Sequence, residues 1–219
     1  MIEELVYKSF HDEFEKLFIE YSEYNSHTNL SSIRDKEEVF QKHFIDSLAL
    51  LLVLEKLKLK AKPLRILDVG TGGGFPALPL AIVRKDFQIV AIDGTGKKIK
   101  FVNEVAEKLN LTNLIAIKTR AEDLAHDHQY RESFDLVVSR AVAESRILIE
   151  LCGAFVKVNG FFIAYKKTNI EEELANISIS CKNLGLKLNE KFIYANERQF
   201  LILKKTEASK DKYPRKNVL

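Results

Sequence analysis

Leu64-Arg65-Ile66-Leu67-Asp68-Val69-Gly70-Thr71-Gly72-Gly73-Gly74-Phe75-Pro76 is the stretch on which the fold turns. Ile66, Leu67 and Val69 form a short apolar run that reads as a strand buried on both faces. An acid, four glycines within five positions and a proline follow. Glycines carry no Cβ, so the chain can turn sharply, take positive φ and come close to a ligand. Pro76 suits the first turn of a helix, where its missing N–H leaves nothing unsatisfied. Strand, glycine turn and helix N-terminus form a cradle for a nucleotide-like ligand. The competing reading is a tight turn that binds nothing, an element that so many glycines would only weaken.

Downstream, the pattern alternates. A helix over 77–83 leads to a buried strand over 88–93 that ends in Asp93. The spacing then predicts a helix over 97–109, with Phe101, Val102, Val105 and Leu109 on one face, and a strand over 113–118. Strands over 134–139 and 160–165 and helices over 144–156 and 170–184 come next. The last two strands, 186–195 and 198–203, are separated only by Asn196-Glu197. That gap suits an antiparallel hairpin and leaves no room for a crossover helix. The fold class is therefore α/β and Rossmann-like: a mostly parallel seven-stranded sheet, helices on both faces, and a C-terminal antiparallel hairpin.

Upstream, Ile2, Leu5, Val6, Phe10, Phe14, Leu17, Phe18 and Tyr21 recur at helical spacing, and a polar stretch from Tyr24 to Asn29 is expected to end that helix. Asp35 with Glu38 three residues later is a capping-box pattern for a second helix. Three regions are expected: an N-terminal helical extension over 1–62, the nucleotide-binding domain over 63–205 and a basic, flexible tail over 206–219. Charge follows the same division, since residues 1–62 carry net −3 and 204–219 net +4 within a chain of net +3. Cys152 and Cys181 have no metal spacing and read as free thiols. An acidic start, no signal-peptide core and no bilayer-length apolar run point to the cytoplasm, with no membrane contact and no metal.

Open α/β sheets bind ligands at the carboxyl ends of their strands. There the chain places Asp68, Gly70, Gly72, Gly74 and Phe75, then Asp93, then Ala121-Glu122, then Ser139-Arg140. Asp93 lies where an acid can bond both ribose hydroxyls. Gly72-Gly73-Gly74-Phe75-Pro76-Ala77 fits G-x-G-x-x-A, so a dinucleotide remains possible. Asp68 favours S-adenosylmethionine (SAM), because a carboxylate suits a cationic methionine end and would repel a pyrophosphate. The closing hairpin points the same way. Asp68 could instead only cap glycine N–H groups, Asp93 could be a solvated turn acid, and Arg140 could only pair with Glu122 or Glu144.

Further motifs carry a resemblance over the whole chain. Tyr24-Asn25, Asn29-Leu30 and Ile33-Arg34 resemble a Y-N…N-L…I-R segment; His43, Asp46, Ser47 and Leu48 fit H-x-x-D-S-[LI]. The glycine turn fits D-V-G-[ST]-G-x-G-[FL]-P, Lys97-Lys98 and Phe101 fit a basic pair and aromatic, and Ser139-Arg140-Ala141 fits [SA]-R-A. In this order they resemble the ribosomal small-subunit RNA methyltransferase G family, also called glucose-inhibited division protein B. The resemblance implies a SAM-dependent enzyme that methylates N7 of a guanine in 16S ribosomal RNA. It implies SAM contacts from Gly70, Phe75, Ala121, Glu122 and Arg140, with Asp93 at the ribose. Gly94, Ala77 and Tyr165-Lys166-Lys167 depart from the family's pattern, although Lys166 keeps its lysine.

Guanine N7 has a free lone pair and no proton, so no catalytic base is assigned, and Arg140 is the candidate orienting residue. His43, Asp46, Ser47 and Lys166 are candidates for the substrate or pocket wall; a buried helix-packing pair is the competing reading of His43 and Asp46. The expected partner is 16S ribosomal RNA or a small-subunit particle, met by a monomer. A methyltransferase for another RNA, a protein or a small molecule, a non-catalytic nucleotide-binding module and an NAD-dependent oxidoreductase are the alternatives.

Overall fold

The computed structural model describes residues 2–59, 61–140, 143–216 and 218, without the side chains of Ile2 and Glu3. Ala141 of the expected Ser-Arg-Ala motif lies outside the described residues. The chain runs α1 (Ile2–Ser9), α2 (His11–Thr28), α3 (Lys36–Val39), a π-helical turn (Phe40–Ile45), α4 (Asp46–Leu48), α5 (Leu50–Lys56), β1 (Arg65–Val69), α6 (Ala77–Val83), β2 (Gln88–Asp93), α7 (Gly96–Lys108) and β3 (Leu114–Lys118). It continues α8 (Ala121–Leu124), β4 (Phe134–Arg140), α9 (Ser145–Gly153), β5 (Val156–Lys167), α10 (Glu171–Ala175), α11 (Ser178–Asn183), β6 (Leu186–Ala195) and β7 (Arg198–Lys205). Among the described residues the strands form a seven-stranded sheet in the order β3-β2-β1-β4-β5-β7-β6, with β7 antiparallel to β5 and β6. This is the mostly parallel sheet with a closing hairpin that the alternating pattern predicts.

By contacts the chain divides into two units. The first holds residues 1–63 and 71–118. Here β2 and β3 pair in parallel from Ile89↔Leu114 to Asp93↔Lys118. Helix α7 buries Ile99, Phe101, Val102 and Val105. The N-terminal helices belong to this unit: Phe14, Leu17 and Tyr21 of α2 are buried, and Tyr24 lays its ring 4.9 Å from that of Phe101. The apolar face expected over 2–21 is broken at Phe10, whose φ of −121° and ψ of 31° are not helical. Conversely, α2 runs through the polar stretch expected to end it and stops at Asn29, at φ 52°. The reason is tertiary: Tyr24 and Asn25 both find partners in the fold. Asp35 caps α3 by accepting the Glu38 N–H at 3.0 Å, as its spacing predicts. Pro76 stands one residue earlier than expected, as the cap before Ala77, and the Phe75–Pro76 peptide is cis.

The second unit holds residues 64–70 and 119–219. Strand β1 pairs with β4 from Ile66↔Leu136 to Val69↔Ser139, and β4 with β5 up to Arg140↔Tyr165. Ile66, Leu67, Leu136, Val137, Val138, Phe162 and Ile163 are all fully buried, which is why these strands read as continuous apolar runs. The hairpin turns at Asn196-Glu197, with Glu197 at φ 57°. The helix expected over 170–184 is two short ones, α10 and α11.

Residues 206–216 differ from the flexible tail that their composition predicts. Arg215 pairs with the buried Glu150 at 2.8 Å, and Arg131 donates to the Tyr213 carbonyl at 2.8 Å. A Cβ on Gly185 would lie 2.0 Å from the Glu207 carbonyl oxygen, so the tail crosses where only glycine lets it pass. The fully buried Lys205 bonds Glu132 at 3.0 Å, the Gly153 carbonyl at 2.9 Å and Ser209. Buried carboxylates need such partners, and the basic tail supplies one of them.

Candidate functional site

In the first unit the glycine turn is tied to the end of β2. The Thr71 N–H donates to the Ile92 carbonyl at 3.0 Å, and the Gly72 N–H to Asp93 Oδ2 at 3.1 Å. Asp93 Oδ1 accepts from the Thr95 N–H at 2.8 Å, and Lys98 Nζ lies 3.9 Å from Oδ2. A carboxylate has about four acceptor positions. Two are taken by backbone N–H groups, so Asp93 keeps capacity for a vicinal pair of hydroxyls. Gly70, Gly72 and Gly74 take φ of 74°, 57° and 87°. At Gly74 a Cβ would meet Leu78 Cδ1 at 2.4 Å and Val102 Cγ2 at 3.2 Å, so the turn sits directly on α6 and α7. An open strand end, a close-approach turn and an acid with spare acceptors suit a nucleoside.

Phe75 leaves this turn and enters an aromatic cluster. The His43 ring stacks on it, with centroids 4.6 Å apart and planes 7° from parallel. Tyr21 stands edge-on to both, at 5.8 Å from His43 and 5.7 Å from Phe75. His43 lies in the π-helical turn, a local widening that occurs often at functional sites. Its Nε2 is 3.2 Å from Ser31 Oγ. Asn25 exchanges two hydrogen bonds with Ser31, from Nδ2 to its carbonyl at 3.0 Å and from its N–H to Oδ1 at 3.1 Å. The Tyr21 hydroxyl donates to the Ile33 carbonyl at 2.7 Å. The Y-N…N-L…I-R segment thus acquires a physical meaning: it fixes the loop that holds His43. Ser47 donates to the His43 carbonyl and is fully buried, and Asp46 beside it is buried at the start of α4. Tyr21 and Ser31 were not among the expected site residues; the one signal for them was polar groups on or next to an apolar helix face.

In the second unit Asp68 is fully buried on β1, and Ser139 donates to the Val69 carbonyl at 2.9 Å. Burial, with the Asp68 charge adding to it, pushes the Cys152 thiol well above the ordinary range, so this thiol is inert. Burial pushes Cys181 up to about 11. Arg140 ends β4 opposite Tyr165 of β5. Lys166 is committed to structure: its Nζ pairs with Glu173 at 2.6 Å and donates to the Ala143 carbonyl at 3.2 Å. Glu173 also accepts from the Ser145 N–H at 2.9 Å and hydroxyl at 2.6 Å. Burial raises the Glu173 pKa, but these hydrogen bonds outweigh it and hold the carboxyl below its usual range. Ala121, buried, opens α8, with Glu122 half-buried after it. Among the described residues no three or more His, Cys, Asp and Glu side chains are grouped to hold a metal ion, and no helix is long and apolar enough to cross a membrane.

Residues 11–201 match the family model described as rRNA small subunit methyltransferase G. The chain is 41% identical over 209 residues to the Ribosomal RNA small subunit methyltransferase G of Lachnoclostridium phytofermentans, covering 93% of this chain and 85% of that one. To the protein of the same name from Clostridium perfringens (strain 13 / Type A) it is 46% identical over 166 residues, 76% of this chain and 68% of that one. Among solved structures, a SAM dependent methyltransferase from Aquifex aeolicus aligns with a TM-score of 0.57 at 18% identity, covering 80% of this chain and 96% of that one. At that identity the likeness is one of fold.

Proposed function

Since the chain belongs to the rRNA small subunit methyltransferase G family, we propose that it transfers the methyl group of SAM to N7 of a guanine in 16S ribosomal RNA. The observation that supports this best is Asp93, held on the glycine turn by Gly72 and Thr95 with two acceptor positions left for a ribose. SAM supplies an electrophilic sulfonium methyl, and guanine N7 offers a lone pair with no proton to remove. The protein therefore needs no general base, and its work is to hold two partners in line.

Roles follow residue by residue. Gly70, Gly72 and Gly74 let the backbone approach the cofactor, and Asp68 favours its cationic end. Asp93 takes the ribose, Phe75 packs beside it, and Ala121 and Glu122 serve the adenine. Arg140 orients the guanine or the cofactor through its donor fork, since N7 and O6 are both acceptors. His43, Asp46 and Ser47 form the wall behind Phe75. Lys166 ties β5 to Glu173. The substrate is RNA, free or within a small-subunit particle, met by a monomer in the cytoplasm.

The test is transfer of labelled methyl from SAM to ribosomal RNA from cells lacking this enzyme. Stoichiometric label on 16S RNA is expected. Label on 23S RNA or protein instead, or none at all, would overturn the reading.

A further inference from the structure

The C-terminal tail grips the segment that follows α8. Arg131 lies half-buried in the loop from α8 to β4. Its Nη1 donates to the Ala125 carbonyl at 3.1 Å and to the Tyr213 carbonyl at 2.8 Å, and its Nη2 to the Lys210 carbonyl at 3.1 Å. A guanidinium carries five donors in a rigid fork, so one head group can bridge separate stretches of chain. Beside it, His126 Nε2 donates to the carbonyl of the buried Pro214 at 3.0 Å.

The tail is anchored independently of Arg131. Ser209 bonds Glu132, Arg215 pairs with Glu150 of α9, and the Lys210 N–H donates to the Asn183 carbonyl at the end of α11 at 3.0 Å. Residues 209–215 are thus a strap already tied down, and they offer Arg131 fixed acceptors. The other end of the Arg131 fork holds Ala125, the fully buried C-cap of α8. Helix α8 is a single turn of four residues. So short a helix has no stability of its own and stands where its neighbours hold it. The Ala125 N–H closes the turn by donating to the Ala121 carbonyl at 3.0 Å. Fixing Ala125 therefore fixes the turn that carries Ala121 and Glu122.

We propose that Arg131 is a positioning residue for the adenine of SAM: it clamps α8 to the C-terminal strap and so holds Ala121 and Glu122 against the purine edge. This rests on the cofactor reading above and names the device that orders the adenine end of the site. Groups that contact a ligand stay in place only when a supporting shell locks them, and a one-turn helix supplies little of that itself.

The test compares wild type with Arg131→Gln, with Arg131→Lys, with the chain truncated after Ser209, and with Arg131→Gln in the truncated chain. Truncation there removes the Lys210 and Tyr213 carbonyls but keeps Ser209, to which Lys205 donates. Calorimetry gives the affinities for S-adenosylhomocysteine and S-inosylhomocysteine, which differ only at the purine edge, and hydrogen exchange follows the Ala125 amide. Wild type should prefer the adenine ligand by about tenfold or more. Arg131→Gln and the truncation should each weaken the adenine ligand by about five- to tenfold, leave the hypoxanthine ligand within about twofold, and speed exchange at Ala125. Arg131→Lys, which keeps the charge without the fork, should show the same selective loss at about two- to fourfold. Combining Arg131→Gln with the truncation should add no more than about twofold, because both break one clamp. A general loss of stability weakens both ligands alike and cannot mimic this pattern. An unchanged adenine preference in the three single variants, equal weakening of both ligands, or additive losses would each overturn the clamp. Wild type that binds neither ligand, or both alike, would overturn the cofactor reading itself, and the clamp with it.

Discussion

His43 lies flat against Phe75, 4.6 Å between ring centroids, and so couples the N-terminal helices to the residue that leaves the glycine turn. A stacked pair of this kind is worth about 0.5–1.5 kcal/mol beyond the area it buries. His43→Ala removes the face on which Phe75 rests and leaves Ser31 Oγ without its 3.2 Å neighbour. Stability should fall by about 1–3 kcal/mol, and SAM affinity by about tenfold, with His43→Phe recovering most of the second loss. Urea unfolding and calorimetry measure the two. Wild-type SAM affinity in His43→Ala would detach this wall from the site.

Asp93 is the second point of coupling. Asp93→Asn keeps the shape but turns one of the two acceptors that receive Gly72 and Thr95 into a donor. The turn loses charge-assisted hydrogen bonds, each contributing about 1.5–3 kcal/mol. SAM should bind more than tenfold more weakly, measured by calorimetry, while far-UV circular dichroism stays that of wild type. Unchanged affinity would remove Asp93 from the ribose.

Truncation after Tyr213 removes Arg215 and leaves the buried Glu150 without the guanidinium that sits 2.8 Å away. Burial raises the Glu150 pKa, but hydrogen bonds and charge from Arg215 outweigh it, so the carboxyl lies below its ordinary value. A depressed carboxyl stabilises the fold above its unfolded pKa, and the contribution is lost as pH falls through the folded one. The truncated chain should be less stable by about 1–3 kcal/mol at pH 7, and the difference should shrink in acid. Equal urea midpoints at pH 7 would restore the flexible tail.

Lys205 gives a dependence of the same sign in an alkaline window. Burial lowers its pKa from 10.5 to about 8 although Glu132 pulls it back up. The unfolded chain therefore binds the extra proton between pH 8 and 10.5, so this group makes stability rise with pH across that window. Below about pH 8 the cost of holding the buried ammonium is fully present. Lys205→Met should flatten the rise relative to wild type in urea unfolding at pH 7.5 and 9.5. Parallel profiles would contradict the assignment.

What the chain discloses before folding is local. The run Ile66–Val69, the glycines, the strand ending in Asp93 and the two-residue gap at Asn196-Glu197 are legible because apolar runs and turn chemistry are properties of neighbours in sequence. The capping at Asp35 is legible for the same reason. The extension of α2 through its polar end depends on distant partners, the Phe101 ring and the Lys97 carbonyl that Tyr24 meets. The same holds at the site. Asp93 could be found from its place at a strand end, whereas the Asn25–Ser31–His43 relay needs three segments brought together. The tail looked free because its charge is visible in the sequence and its partners, Glu132 and Glu150, are not visibly its partners.

The most direct measurement is nucleoside mass spectrometry of unmodified 16S RNA after incubation with the protein and SAM, with fragments mapped to position. The account predicts one added 7-methylguanosine per 16S molecule, at a single position, and its loss when SAM is omitted. A methyl group on another atom or base, or no methylated nucleoside from protein that binds SAM, would contradict it.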